Sequence, residues 1–172
     1  MLPASPRRVG RRALLRALAG DPERRTVAMQ ASIARAQTGD AAAIRALLEA
    51  QQLPVDGFSD HLQTMLVATV NGTVVGSAGL ELYTDGALLR SVAVTPDHQG
   101  QHLGRDLTSA AIDLARTMGA PAIYLLTTTA EGYFPKFGFE RIQRSDVPSS
   151  VQSSVEFTSA CPASAVVMRK TL

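Results

Sequence analysis

The chain has 172 residues, 45% of them hydrophobic and 19% charged, with a formal net charge of +2, one cysteine and three histidines. That length and mixture suit one globular domain with a sizeable core. A single thiol excludes an internal disulfide framework and a multi-cysteine metal site, and no apolar run reaches the length of a membrane span.

The charge is unevenly spread. Residues 1–25 hold seven arginines against Asp21 and Glu23, which leaves 10 basic against 13 acidic residues, a net −3, in the remainder. The basic character belongs to the N-terminal segment, which argues against nucleic acid as a partner of the domain. Residues 1–28 read as a basic, poorly ordered tail, or as an upstream extension with Met29 as the start. RRALLR is followed by Gly20-Asp21-Pro22-Glu23 rather than by the apolar stretch of an export signal. Cytoplasm is the expected compartment, with no membrane association and no metal, since His61, His98, His102 and Cys161 show no ligand spacing.

Along residues 29–172, helix-like periodicity begins just beyond Met29. Asp40 is placed to cap a helix over AAAIRALLEAQQ, whose Ile44, Leu47 and Leu48 recur on one face, and Leu53-Pro54 ends it. A loop with Gly57 follows. MLVATV (65–70) and TVVGSAGLELY (73–83) read as strands joined by Asn71-Gly72, a strong hairpin signal. Asp85-Gly86 reads as a second two-residue turn into ALLRSVAV (87–94), which pairs Glu81 with Arg90. A helix is expected from about Gly104 to Met118, with Leu107, Ala110, Ala111, Leu114 and Ala115 on one face and Gly119 as its C-cap. AIYLLTTT (122–129) is apolar without alternation, as a strand buried on both faces is, and its link to 87–94 reads as a βαβ crossover to a parallel partner. A short helix over 130–137, a strand over 139–144, a helix over 148–160 and a strand over 165–172 complete the chain. The fold class is α+β: an antiparallel meander plus a central parallel pair, flanked by helices.

Between that third strand and the long helix lies DHQGQHLGRDL (97–107). The first N–H groups of a helix have no intrahelical partner and carry partial positive charge, so a phosphate docks there, and glycine lets it approach the main chain. Neither GxxxxGK[ST] nor GxGxxG is present; the chain offers GxxxG instead.

Gln99-Gly100-Gln101-His102-Leu103-Gly104 resembles the [RQ]-x-x-G-x-[GA] loop of the GCN5-related N-acetyltransferase family. VAVTPD (92–97) resembles that family's strand ending in V-x-P, and FPKFGF (134–139) its aromatic-x-x-x-G-F segment. The resemblance covers about 29–172. It implies acetyl-CoA as co-substrate, held by backbone groups of Val92 and Val94 along the pantetheine and by N–H groups from Gln99 to Arg105 (Gln99, Gly100, Gln101, His102, Leu103, Gly104, Arg105) at the pyrophosphate. An N–H near Ala93 would polarise the thioester carbonyl, and the acceptor amine would attack it directly. The sequence departs from the pattern twice. His102 stands at the usual middle glycine. Phe134 stands where a tyrosine often protonates the leaving thiolate, and phenylalanine donates no proton. Tyr133 is expected to point elsewhere, leaving Tyr124, a threonine of 127–129, or solvent as the acid.

The base is sought separately, because the position where several relatives carry glutamate is Leu88. Glu81 is the substitute, to take the amine proton, with Arg90 to hold an acidic group of the acceptor; a surface ion pair is the alternative reading. Thr127, Thr128 and Thr129 end the buried strand and are expected along the substrate side. Cys161 reads as structural.

Three longer stretches, LLRSVAVTPDHQGQHLG, YLLTTTAEGYFPKFGFERIQRSDVP and EFTSACPASAVVMRKTL, are similar to the arsenic-resistance N-acetyltransferase subfamily, whose members also carry Phe at the Tyr position. That resemblance implies a small amine-bearing substrate such as an amino-acid-like arsenical. A protein or aminoacyl acceptor and a non-catalytic acyl-CoA sensor are the rival readings. Exposed strand edges leave room for a homodimer.

Overall fold

The computed structural model describes residues 30–172, so the basic tail lies outside the described residues. Residues 31–172 form one compact unit. Among them runs a seven-stranded sheet in the order β1-β2-β3-β4-β5-β7-β6, antiparallel throughout except for the β4–β5 pair. The strands are β1 (Ser32–Arg35), β2 (Met65–Val70), β3 (Thr73–Tyr83), β4 (Gly86–Val94), β5 (Ala122–Thr127), β6 (Glu140–Ile142) and β7 (Val166–Thr171). The helices are α1 (Ala41–Ala50), α2 (Leu103–Thr117) and the single turn α3 (Ser149–Gln152).

The meander forms for the reasons its turns give. Asn71 (φ 50°) and Gly72 (φ 77°) both adopt the left-handed conformation that a tight hairpin turn matched to strand twist requires. The second turn differs from expectation. It is Thr84-Asp85, with Tyr83 opposite Gly86, and so Glu81 faces Leu88 rather than Arg90. Gly86 belongs to the strand because of its neighbours. A Cβ there would lie 2.8 Å from Tyr124 Cε2 and 3.1 Å from the Ala122 carbonyl oxygen, so glycine admits β5 alongside.

Alternation along the strands sorts the core into two faces. Leu66, Ala68, Leu80, Leu89, Ile123 and Leu125 pack with Leu107, Ala111 and Ala115 of α2 on one side. On the other, Met65, Val67 and Ala93 pack with Ile44, Leu47 and Leu48 of α1, while Leu88 and Tyr124 pack with Val151 and Phe157. Each such leucine or isoleucine contributes about 1.5–3 kcal/mol by leaving water. Tyr124, a candidate acid from the sequence, is therefore core, and β5 is buried on both faces.

Four other expectations are corrected. Residues 32–35 form an edge strand, held by β2 and by a Ser32 Oγ to Thr69 Oγ1 hydrogen bond of 2.9 Å, where the sequence suggested helical periodicity. Asp40 accepts the Gln37 N–H at 2.7 Å, capping a 3-10 turn that precedes α1 instead of capping α1 itself. Strand β5 ends at Thr127, since the Thr127 hydroxyl oxygen accepts the Ala130 N–H at 2.9 Å and turns the chain. The segment 148–160 is not one helix. It breaks after α3 and resumes as a π-turn, Glu156–Ala160, closed by the Cys161 N–H to the Glu156 carbonyl at 3.2 Å.

Candidate active site

Strands β4 and β5 are paired only at Ala87 with Ile123 and Leu88 with Tyr124. Beyond that point they splay. The cause lies in β4, where the register against β3 passes from Ala93 opposite Ser77 to Arg90 opposite Gly79. That places an extra residue in β4, a bulge with Ser91 at φ 57°, its carbonyl accepting the Ser77 hydroxyl at 2.7 Å. A parallel pair cannot follow such a twist, and a wedge opens between residues 89–94 and 125–129.

The wedge holds two adjoining cavities, each of about 440 Å³. Both share Val92, Ala93, Val94, Gln99, Ala130 and Phe134 as walls. One runs past Gly100, His102, Leu103, Gly104 and Arg105 to the start of α2, with Tyr133 and Lys136 opposite. The other runs past Thr127, Thr128 and Thr129 to Arg90, Glu156 and Cys161, with Gln51 to Pro54 as a rim.

The first intrahelical bond of α2 is the Asp106 N–H to the His102 carbonyl, 3.0 Å, so the N–H groups of Leu103, Gly104 and Arg105 precede the helical ladder. Gly100 (φ 78°) and His102 (φ 64°) are both left-handed. The second value shows what a glycine at position 102 would provide: histidine there accepts a conformation that costs most side chains about 1–2 kcal/mol. The Gln99 side chain donates to the Val94 carbonyl at 3.0 Å and ties the loop to the strand. A Cβ on Gly104 would point at the Tyr133 hydroxyl, 3.4 Å away. That hydroxyl is buried and has no hydrogen-bond partner among the described residues. Tyr133 thus faces the groove, contrary to expectation. It packs edge-on against Phe134, ring centroids 5.1 Å apart, under the Lys136 ammonium at 3.8 Å from its ring centre.

This loop, strand and aromatic segment carry the family assignment. The sequence matches the acetyltransferase (GNAT) family over residues 28–139, well over half the chain. The chain belongs to that family. An amino-acid acetyltransferase of Neisseria meningitidis serogroup A is 27% identical over 128 residues, 69% of this chain but 29% of that protein. N-acetylglutamate synthase from Neisseria gonorrhoeae, solved with coenzyme A and N-acetyl-glutamate, superposes with a TM-score of 0.71 at 22% identity, over 83% of this chain and 35% of that one. The ribosomal-protein-S18-alanine N-acetyltransferase from Escherichia coli gives 0.60 at 21% identity, over 82% and 93%. The two Neisseria proteins are thus far longer than this chain.

In this GNAT domain the end of the wedge that carries Thr127 to Thr129 is floored by a buried ionic cluster. Glu81, Arg90 and Glu156 are 1%, 5% and 6% exposed. Arg90 Nη1 donates to Glu81 Oε1 at 2.6 Å; its Nη2 reaches Glu156 Oε1 at 2.8 Å and the Asp56 carbonyl at 2.7 Å. Glu81 and Arg90 therefore meet diagonally across β3 and β4, buried rather than as a surface pair. The Tyr83 hydroxyl donates to Glu81 Oε2, and His61 Nε2 stands 3.9 Å from it. The Cys161 thiol donates to Glu156 Oε2 at 2.8 Å. Burial acting alone would raise the Glu81 carboxyl, but hydrogen bonds from Ser154, Tyr83 and Arg90 outweigh it and hold the group below its ordinary value. Burial, then the Glu81 contact, pushes the Tyr83 phenol up to about 12. Burial, then Glu156, pushes the Cys161 thiol up to about 12, which keeps it protonated at neutral pH.

Of the residues singled out from the sequence, the wedge brings together Val92 to Val94, Gln99, Gly100, His102 to Arg105, Thr127 to Thr129 and Arg90. Gln101 donates to the Asp97 carbonyl at 3.3 Å and is not a wall residue. Glu81 is bound by Arg90 and is not a wall residue either. Sequence reasoning missed Glu156, because nothing local marks a glutamate in an irregular turn as the partner of an arginine on β4. It also missed the direction of Tyr133, since a 3-10 turn rather than an α-helix follows it.

Proposed function

We propose that the chain is an acetyl-CoA-dependent N-acetyltransferase acting on the primary amine of a small molecule. The observation that supports this most directly is the juxtaposition at the wedge. Uncommitted N–H groups at the start of α2 and an orphaned, buried Tyr133 hydroxyl face the same groove, beside the splayed edge of β4. These groups suit an anionic pyrophosphate followed by a hydrogen-bonding, amide-rich arm, as in coenzyme A. Family membership agrees, and so does the coenzyme A bound to the N-acetylglutamate synthase of Neisseria gonorrhoeae.

Bound acetyl-CoA would supply an activated thioester acetyl group. In this reading, backbone groups of Val92 and Val94 hold the arm, N–H groups from residues 100–105 hold the pyrophosphate (the Gln99 N–H donates to the Pro96 carbonyl at 3.2 Å instead), and the N–H near Ala93 meets the thioester carbonyl oxygen. Phe134 supplies an apolar wall and no proton. Thr127, Thr128 and Thr129 line the acceptor side.

For the acceptor, the resemblance to the arsenic-resistance subfamily favours an amino-acid-like arsenical, and the amino-acid acetyltransferase relative favours an acceptor of that size. Arg90 has little left to offer an acidic group on that acceptor, because Glu81, Glu156 and Asp56 already occupy both of its Nη atoms. The test is thiol release from acetyl-CoA with a panel of amines: amino-acid analogues, an organoarsenical amino acid, polyamines and a short peptide with a free alanine N-terminus. Release with a small amine is expected. Release with the peptide alone would replace this reading by a protein-directed one. Coenzyme A binding without release on any amine would replace it by an acyl-CoA sensor.

A further inference from the structure

Resting on that reading, we propose that Glu156 is the group that receives the acceptor's ammonium and takes its proton, while Glu81 serves to hold Arg90. Of the two carboxylates in the cluster, only Glu156 lines the acceptor cavity; Glu81, 1% exposed, is not among its walls. Two carboxylates share one guanidinium, and the Cys161 thiol beside Glu156 is neutral. Arg90 is the sole cation among the described residues lining that cavity. Arg144, the other cation near Cys161, stacks over the Phe157 ring at 5.1 Å and donates to the Phe157 carbonyl, off the cavity wall. The wall therefore attracts a positive charge and carries a carboxylate to receive it. Glu156 is also positioned rather than free. Its Oε1 is fixed by Arg90 and its Oε2 by the Cys161 thiol, each 2.8 Å away, and both oxygens keep further lone pairs. The π-turn that begins at Glu156 is the local device that aims it, a wide turn of the kind found where function displaces a regular helix.

The chemistry balances. The ammonium gives one proton to the Glu156 carboxylate and becomes a neutral amine. Its nitrogen lone pair forms a bond to the acetyl carbon, and the carbon–sulfur bond breaks with its electron pair on sulfur. The sulfur takes up the second proton lost by the nitrogen, and Glu156 returns the first to solvent. The products are an N-acetyl amide, a thiol and one proton.

The test compares two acceptors in Glu156→Gln: the best alkyl amine of the panel, and its β,β,β-trifluorinated analogue, whose amine is already neutral at the assay pH. Expected is a fall in kcat/KM of about 100-fold for the alkyl amine, a much smaller fall for the fluorinated one, and coenzyme A affinity by calorimetry as in the native protein. Glu156→Asp should recover part of the alkyl-amine rate. Should Glu156→Gln misfold, Glu156→Asp is read with the same pair of amines. Equal losses on both amines, or no loss on either, overturn the inference. A wild-type protein that binds no coenzyme A overturns the functional reading instead. Glu81→Gln is the control, expected to weaken both rates alike.

Discussion

Arg90 Nη2 and Glu156 Oε1 stand 2.8 Å apart at the floor of the wedge, joining a central strand to the irregular turn before β7. Both groups are buried, and the guanidinium is shared with Glu81 at 2.6 Å. Removing Arg90 would leave two carboxylates out of water with no counter-charge. Arg90→Met is therefore expected to cost about 3–5 kcal/mol of stability, the range found when one partner of a buried pair is deleted. Thermal unfolding followed by circular dichroism measures it. A Tm within a degree or two of the native protein would show that the cluster is not a structural element.

Glu81 determines part of the acid stability. Its folded carboxyl titrates below the ordinary value of 4.5, so the unfolded chain binds the proton more readily. The stabilisation is then fully present above that value and is lost as pH falls through the folded carboxyl's lower one. Urea midpoints of the native protein should fall as pH drops below about 4.5, and Glu81→Gln should show a shallower fall over the same window. Parallel curves would refute the assignment.

Gly104 and Tyr133 meet across the groove. A glutamate at position 104 would put its side chain toward the Tyr133 hydroxyl and a negative charge at the start of α2. Gly104→Glu is expected to weaken coenzyme A binding at least tenfold, or about 1.4 kcal/mol, by calorimetry. Tyr133→Phe removes the orphaned hydroxyl alone and is expected to weaken binding by about 0.5–1.5 kcal/mol, the worth of one hydrogen bond. Unchanged affinity in both variants would move the cofactor groove elsewhere.

Gly86 sets the β3–β4 register by letting β5 approach. The Cβ of Gly86→Ala would meet the Tyr124 ring at 2.8 Å and a backbone oxygen at 3.1 Å. We expect a loss of about 1–3 kcal/mol, as for other overpacked cores, read from denaturant unfolding. A neutral effect would mean that the strand pair has room to shift.

Much of this fold is legible along the chain because its signals are local. Asn71-Gly72 needs only its own backbone angles to make a turn, α2 shows its buried face every third or fourth residue, and β5 declares its two-sided burial by lacking polar alternation. The glycine loop is legible for the same reason, since residues 99–104 sit together whatever the rest of the chain does. The register of β3 on β4 was not legible, because Gly86 reads as a turn residue until Tyr124 is beside it. Nor was the edge strand β1, which exists through its pairing with β2. The direction of Tyr133 depends on a 3-10 turn packing against α2. The meeting of Arg90, Glu81 and Glu156 depends on a bulge in β4 and a break after α3. Those contacts join residues far apart in the chain, and their energies arise from burial and from the exclusion of water, which exist only once the sheet has formed.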